Sequence, residues 1–430
     1  MAPTNQSLTH GVPAVPGARA ARTPRLGAIF LTVFLDLLGF GLVLPFLAKE
    51  ARDVFGVSAF VATLLGSVYS LMQFAFVPIW GRLSDRVGRR PVLIWSIAGT
   101  ALTMASLGAG LSWGGSVLWL FAARIFGGVA TANLGTASAY IADVTKPEER
   151  AKGMGLIGAA FGLGFIIGPG IGGALARVAI DGRHGAVPCF VAAGLSLVNL
   201  VWIVLGLAES LPPERRATTP RRRLTPLNAA ATRDAFALPG VALAVAVNFL
   251  VIGSFTNLDQ TFTFFCGDIF GIDERGTGYV LAFIGVVAAF VQGGLVRPLA
   301  KRVSEASLMR AGALFQVIAF AGLVVAGSGP SRVALYVSGA ILALGNGLTQ
   351  PSTSAFISRR APADRQGGTL GVNQSFASLA RTFGPATGGW LYANVGPRAP
   401  YTAAALGMVV ALALAMGLKK TYPAADAQRP

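Results

Sequence analysis

Eighteen acidic residues are spread over 430 positions, and only Asp36 and Asp259 stand well inside long apolar runs. A carboxyl group there offers one chemistry. Desolvation raises its proton affinity and a nearby cation lowers it, so a side chain that is alternately dry and wet can load and release a proton near neutral pH. Arg124 and Arg381 stand in two further apolar runs. An arginine at mid-membrane costs at least ~2.5 to 3.5 kcal/mol, which calls for a wet cavity or a partner, and it keeps its proton throughout. Each acid therefore has two readings, a proton carrier or one member of a fixed ion pair with Arg124 or Arg381. Metal and disulfide chemistry is not expected, because Cys189 and Cys266 lie alone in apolar runs and His10 and His184 fall outside them. The chain has no His-Glu-x-x-His and no G-x-x-x-x-G-K-[S/T] loop, so neither an intramembrane enzyme nor an ATP-driven pump is expected, and no cofactor.

The elements that carry these residues must cross lipid. Hydrophobic residues make up 53% of the chain and charged ones 12%, with mean hydropathy +0.63, well short of the charge of a soluble domain. Apolar runs of ~20 residues without alternation predict helices. Twelve are expected, at 26–48, 58–80, 91–111, 116–142, 151–178, 187–208, 239–266, 276–298, 305–327, 330–357, 366–394 and 399–418. Net charge is +17, but basic stripes with interleaved aromatics are missing, which excludes nucleic acid as a partner. The Lys and Arg residues instead mark topology: 25 of the 35 fall in alternate loops and the two tails, as in Arg82, Arg86, Arg89 and Arg90 after the second span. A miscounted span would invert that alternation. The expected organisation is a cytoplasmic N-tail over 1–25 without a cleavable signal, a six-helix half over 26–208, a Pro- and Arg-rich cytoplasmic linker over 209–238, a second half over 239–418 and a cytoplasmic C-tail over 419–430. A bacterial inner membrane is the expected location, and the chain is expected to work as a monomer.

A repeat supports the division. Pro147-x-x-Arg150 recurs as Pro362-x-x-Arg365, and Gly168-Pro169-x-x-Gly172-Gly173 as Gly384-Pro385-x-x-Gly388-Gly389, at offsets of 215 and 216. Two parallel halves around a central site are what a rocking carrier needs.

Between spans two and three the chain reads Gly81-Arg82-Leu83-Ser84-Asp85-Arg86-Val87-Gly88-Arg89-Arg90-Pro91. This closely resembles the cytoplasmic signature of the major facilitator superfamily, G-x-L-[A/S]-D-R-x-G-R-[R/K]. Asp85 is expected to bind a helix N-terminus or an Arg and hold the halves in one state, with Arg86 reaching Asp143 at the end of span four. A plain positive-inside turn is the alternative. Gly164-x-x-x-Gly168-Pro169-x-x-Gly172-Gly173 resembles the helix-five signature of that superfamily's proton-linked antiporters, and the resemblance implies export. Physically, glycines four apart admit a neighbouring backbone and Pro169 bends the helix, so plain helix packing is a second reading. Leu120-x-x-x-Arg124-x-x-x-Gly128 resembles the third signature, whose Arg is associated with proton coupling. Asp36-Leu37-Leu38-Gly39-Phe40-Gly41-Leu42-Val43-Leu44-Pro45 looks like the first helix of tetracycline efflux proteins, and Ala139 to Thr145 extends the likeness. Those pumps also carry acids in helices three and nine and a His in helix eight. Here Thr103, Gln316 and Ala288 stand in those places, and Asp259 is expected to replace part of that machinery.

The central cavity is expected to be apolar with a few polar fixers, drawn from Gln73, Asn133, Asn257, Gln260, Gln292, Asn346, Gln350, Asn373 and Gln374, with Phe264 for stacking and Arg381 for an anionic group. Taken together, these residues predict an all-α membrane protein of two pseudo-symmetric six-helix halves that exports small amphipathic drugs in exchange for protons by alternating access. A proton-coupled sugar or organic-acid carrier is the alternative, and a channel the weaker one.

Overall fold

Without water, a backbone must close its hydrogen bonds within its own segment, so the long apolar runs fold as helices. The computed structural model describes residues 26–145, 150–180, 184–212, 216, 229–362 and 366–418. In chain order the helices are α1 (Leu26–Phe55), α2 (Ala59–Val87), α3 (Arg89–Trp113), α4 (Val117–Ala130), α5 (Leu134–Val144), α6 (Arg150–Ala176), α7 (Ala186–Gly206), α8 (Ala229–Phe236), α9 (Val241–Phe270), α10 (Glu274–Phe290), α11 (Val296–Arg302), α12 (Glu305–Ser328), α13 (Arg332–Arg360), α14 (Gln366–Asn394) and α15 (Ala399–Met416). Helices α4 and α5 are parts of one span, and so are α10 and α11, joined by a π-helical turn over Val291–Leu295. The described residues thus form twelve long segments and the short α8. Ten are long and apolar enough to cross a membrane by length and composition alone. Helices α6 and α14 are the other two, and α14 falls short because it is rich in Gly, Ser, Thr, Gln and Asn; it packs between α2 and α9. The expected tails, most of the linker, Lys146, Pro147 and Arg365 lie outside the described residues.

Side-chain oxygens of Ser58, Ser116, Asp273, Ser304 and Ser331 accept backbone N–H groups at the starts of α2, α4, α10, α12 and α13, which fixes those boundaries. Several helices run past their expected limits, α1 to Phe55 and α9 to Phe270. The expected fourth helix, 116–142, is broken at residues 131–133. Three carbonyls at the break find side-chain donors instead: Trp80 Nε1 donates to Val129 O (2.5 Å), Ser96 Oγ to Ala130 O (2.6 Å) and Gln73 Nε2 to Thr131 O (3.3 Å). Buried backbone groups released from a helix need such partners.

Twelve spans return the chain to its starting side, so Leu26 and Leu418 share a terminal face and the α1–α2 connection lies at the opposite face. Helices α6 and α10 form one seam between the halves, and α2 and α14 the other. The Gly-Pro repeat builds both. Gly164, Gly168 and Gly172 turn towards α1, where an added Cβ at Gly168 would stand 2.7 Å from the Gly41 carbonyl carbon, while Gly173 and Pro169 turn towards Glu274 and Gly278 of α10. In the second copy Gly384 and Gly388 face Gly253, Thr256 and Asn257 of α9, and Gly389 meets Ala59 and Thr63 of α2. One motif therefore packs each half internally and also touches the other. All these crossings between halves lie towards the opposite face. Near the terminal face Gly81, Gly368 and Gly371 meet nothing within 4 Å among the described residues. Among the described residues, the tight glycine contacts that join the halves lie towards the opposite face.

Candidate functional site

Asp36 lies near the middle of α1, half-buried, with Asn133 beside its carboxylate and one carboxylate oxygen buried without a hydrogen bond. Asp259 lies on α9, also half-buried, and accepts a hydrogen bond from Gln260 Nε2 (3.0 Å). Neither makes an ion pair with Arg124 or Arg381, so the fixed-pair reading is not what the structure contains. The repeat offset of 216 places Asp36 opposite Ile252, which leaves Asp259 seven residues, or ~10 Å, nearer the opposite face. The two acids are staggered in depth.

Arg124 is 2% exposed. Its Nε donates to Leu65 O (3.3 Å) and its guanidinium sits 4.1 Å above the Tyr69 ring. Tyr69 in turn bonds Thr131 through its hydroxyl (2.6 Å) and packs on Phe40, one turn beyond Asp36. A tyrosine thus separates the arginine from the acid. Cation–π contact and one carbonyl leave Nη2 of Arg124 buried and unbonded. Arg381 is half-buried on α14 and no described acid pairs with it. Of the residues expected in place of further acids, Thr103 donates to Gly99 O (3.0 Å) and Gln316 donates to Thr349 (3.3 Å).

The expected polar fixers divide by helix face. Asn257 donates to Pro400 O (3.0 Å), and Asn248 donates to Asn373 (3.0 Å), so both are clasps of α9 to its neighbours. Gln73 and Asn133 hold the α4–α5 break, the latter through Ser96 Oγ (2.6 Å). Gln260 packs on Gly66 across the halves. Gln292 is exposed in the π turn, and Asn346 and Gln350 are half-buried on α13. Phe264 is fully buried, between Tyr392 and the Arg52 guanidinium.

At the terminal face the signature loop closes on its own half. Gly88, at φ 108°, makes the one-residue turn between α2 and α3. The partner of Asp143 is Arg89, not Arg86: Arg89 Nε donates to it (3.2 Å) while Nη1 bonds Asp85 and Ser84, and Arg86 points outward, exposed. Glu209, which the motif does not announce, accepts the backbone N–H groups of Arg89 (2.9 Å) and Arg90 (3.2 Å) at the start of α3. Arg90 donates to Val204 O (2.7 Å). Removing Arg89 leaves two acids facing each other, so Arg89→Ala is expected to cost roughly 2–4 kcal/mol, and Arg86→Ala under about 0.5 kcal/mol. Thermal unfolding of the two purified variants in detergent checks this; equal shifts would return Asp143 to Arg86.

The ion pairs that join the halves lie at the opposite face. Lys49 binds Glu274, Arg52 binds Asp268 (2.9 Å) and Arg177 binds Asp273 (2.9 Å), with Tyr392 donating to Asp268 (2.8 Å) and Thr263 to Pro45 O. Arg52 and Asp268 are 216 residues apart, the repeat offset, so equivalent ends of α1 and α9 carry opposite charges and meet across the pseudo-twofold axis. Sequence reasoning missed this gate. Its signal was present in Lys49, Arg52 and Arg177, bases on the face where bases are scarce, opposed by Asp268, Asp273 and Glu274.

Comparison with known proteins agrees with this architecture. The family model described as Major Facilitator Superfamily matches residues 29–385 and 329–430. The class C tetracycline resistance protein of Escherichia coli is 33% identical over 360 residues, covering 82% of this chain and 86% of that protein. Multidrug resistance protein 2 of Bacillus subtilis is 29% identical over 390 residues, 90% of this chain and 93% of its own. The solved human organic anion transporter MFSD10 superposes with a TM-score of 0.67 at 24% identity, over 91% of this chain and 98% of that one. A chain of two six-helix halves, whose paired Gly-Pro motifs build the seams between them, belongs to the Major Facilitator Superfamily.

Proposed function

We propose that this transporter exports small amphipathic compounds in exchange for protons, from a bacterial inner membrane with its terminal face in the cytoplasm. The observation that carries the reading is the pair of half-buried acids, Asp36 and Asp259, one in each half and neither in an ion pair among the described residues. A carboxyl with a fixed cationic partner has little reason to titrate, whereas these two change solvation whenever the halves rock. Export is supported by the helix-five motif and by the resistance proteins among the relatives. The basic loops support the cytoplasmic assignment of the terminal face. On that assignment the molecule is open inward, the state that takes substrate from the cytoplasm. Inverted membrane vesicles acidified by respiration test the proposal: added tetracycline, ethidium or a similar cation should release luminal protons, reported by a pH-sensitive dye. Silence across the panel removes it.

Arg381 supports a second reading, a proton-coupled carrier of organic anions. A half-buried guanidinium without an acidic partner among the described residues leaves a charge that a carboxylate would satisfy, for about 1.5–3 kcal/mol. Arg381→Gln should then raise the KM for an amphipathic carboxylate roughly 10- to 100-fold and leave that for a cation unchanged. An equal effect on both assigns Arg381 to structure.

A further inference from the structure

Beside the gate pairs one acid is left over. Glu50 is 4% exposed and, among the described residues, forms no hydrogen bond or ion pair. Its side chain lies across Gly185, whose φ of +84° and crowded surroundings leave no room for a Cβ, and its carboxylate faces a cavity of about 530 Å³ that is also lined by Lys49, Asp53, Val54, Arg177, His184 and Glu274. Among the described residues every charged neighbour can be named. Lys49 and Asp53 come from α1, Glu274 from α10, Arg177 from the end of α6 and His184 from the segment before α7; Asp181 and Arg183 of that segment lie outside the described residues. Lys49 is already shared between Glu274 and Asp53 (2.6 Å), Arg177 is held by Asp273, and His184 bonds the Arg177 carbonyl (3.0 Å). Among the described residues, three carboxyls therefore surround the Lys49 ammonium.

We propose that Glu50 is a proton-binding site of the gate, occupied when the halves close at the opposite face and vacated when they part. Two of the three carboxylates belong to the first half, and only Glu274 arrives from the second. Closure brings a third negative charge to Lys49 and dries Glu50, which favours the neutral acid; opening withdraws Glu274 and frees Lys49 for Glu50 and Asp53, which favours the carboxylate. By linkage, any proton taken up on closure makes acid a closing agent. Closing at that face in response to acid outside is the step that brings a proton-loaded exporter back to its inward-open state. Glu50 thus senses protons at the gate and need not carry them to the centre.

This inference rests on the gate and not on the transported compound, and the test is arranged to separate the two. In a chain with Cys189→Ala and Cys266→Ala, spin labels at Val178→Cys and Val395→Cys report the distance between the halves at the opposite face, both sites being exposed. The central acids are silenced by Asp36→Asn and Asp259→Asn. Between about pH 5.5 and about pH 8 the short-distance population should fall by roughly half or more. Adding Glu50→Gln, which mimics the neutral acid, should hold the short distance at both pH values. Glu274→Gln, which removes the arriving charge by another route, should also flatten the dependence, at a longer distance. A pH response that survives Glu50→Gln, or one already abolished by silencing Asp36 and Asp259, overturns the assignment, whatever the vesicle assay shows.

Discussion

Asp36→Asn abolishes drug-induced proton release from inverted vesicles, by about 100-fold or more, while substrate exchange without a gradient persists. The amide keeps the shape of the carboxyl and loses only its proton. What surrounds Asp36 makes the variant unusually clean. Among the described residues no cation pairs with it, so neutralising it strands no charge; Arg124 has its own partners in Leu65 O and the Tyr69 ring, and Arg381 stands on another helix in the other half. A variant at Asp143 would leave Arg89 short of a partner, and its loss of transport could be a loss of folding. Here expression and thermal stability should stay within about 0.5 kcal/mol of the parent, because one carboxylate oxygen is already buried without a hydrogen bond. Asp259→Asn is the companion test. Because Asp259 lies nearer the opposite face, its loss should slow proton loading from that side and leave release at the terminal face intact. Proton release by Asp36→Asn at the parental rate removes the carrier role from that residue.

Much of this architecture was legible in the residues, and the part that was not has a physical reason. Span number follows from apolar length and from the side on which Arg and Lys collect, both local quantities, and the two-half plan from a motif repeated at half the chain length. Helix phase was harder. Asn257, Asn373 and Phe264 are central in sequence terms, yet a rotation of 100° per residue decides whether such a side chain meets open space or a neighbouring helix, and these three meet neighbours. The Asp143 partner shows the same effect at short range: Arg86 and Arg89 are three residues apart, and the turn at Gly88 sends the second inward. Glu209 and the gate needed contacts between residues about a hundred or more positions apart. Charges at span ends look like loop residues until their opposites at the ends of other spans are placed beside them. Arg52 and Asp268 were accessible in principle, since the repeat offset of 216 relates them, but only an axis of pseudo-symmetry makes that offset mean contact.

Two adjacent glycines of α6 should fail in different ways. Gly172 lies against α1, and a Cβ there would overlap the carbonyl oxygen of Leu42 and stand 2.9 Å from its carbonyl carbon. Both are backbone atoms of a helix in the same half, with no flexible side chain to yield. Gly172→Val must separate α1 from α6 and is expected to cost more than about 3 kcal/mol, seen as loss of folded protein in the membrane. Gly173 points the other way, at Glu274 O and Gly278 of α10 in the second half. That contact exists only while the halves are closed at the opposite face, so the protein can relieve the clash by opening there. Gly173→Ala should therefore leave expression near normal, lengthen the distance between Val178 and Val395 labels, and reduce transport roughly 10-fold or more by disfavouring the inward-open state. Gly389 is its counterpart on α14, against Ala59 and Thr63, and Gly389→Ala should behave likewise. If the second glycine of each motif instead unfolds the protein as the first does, the seams are permanent packing and the halves do not part along them. A motif with one face for folding and one for rocking predicts the split.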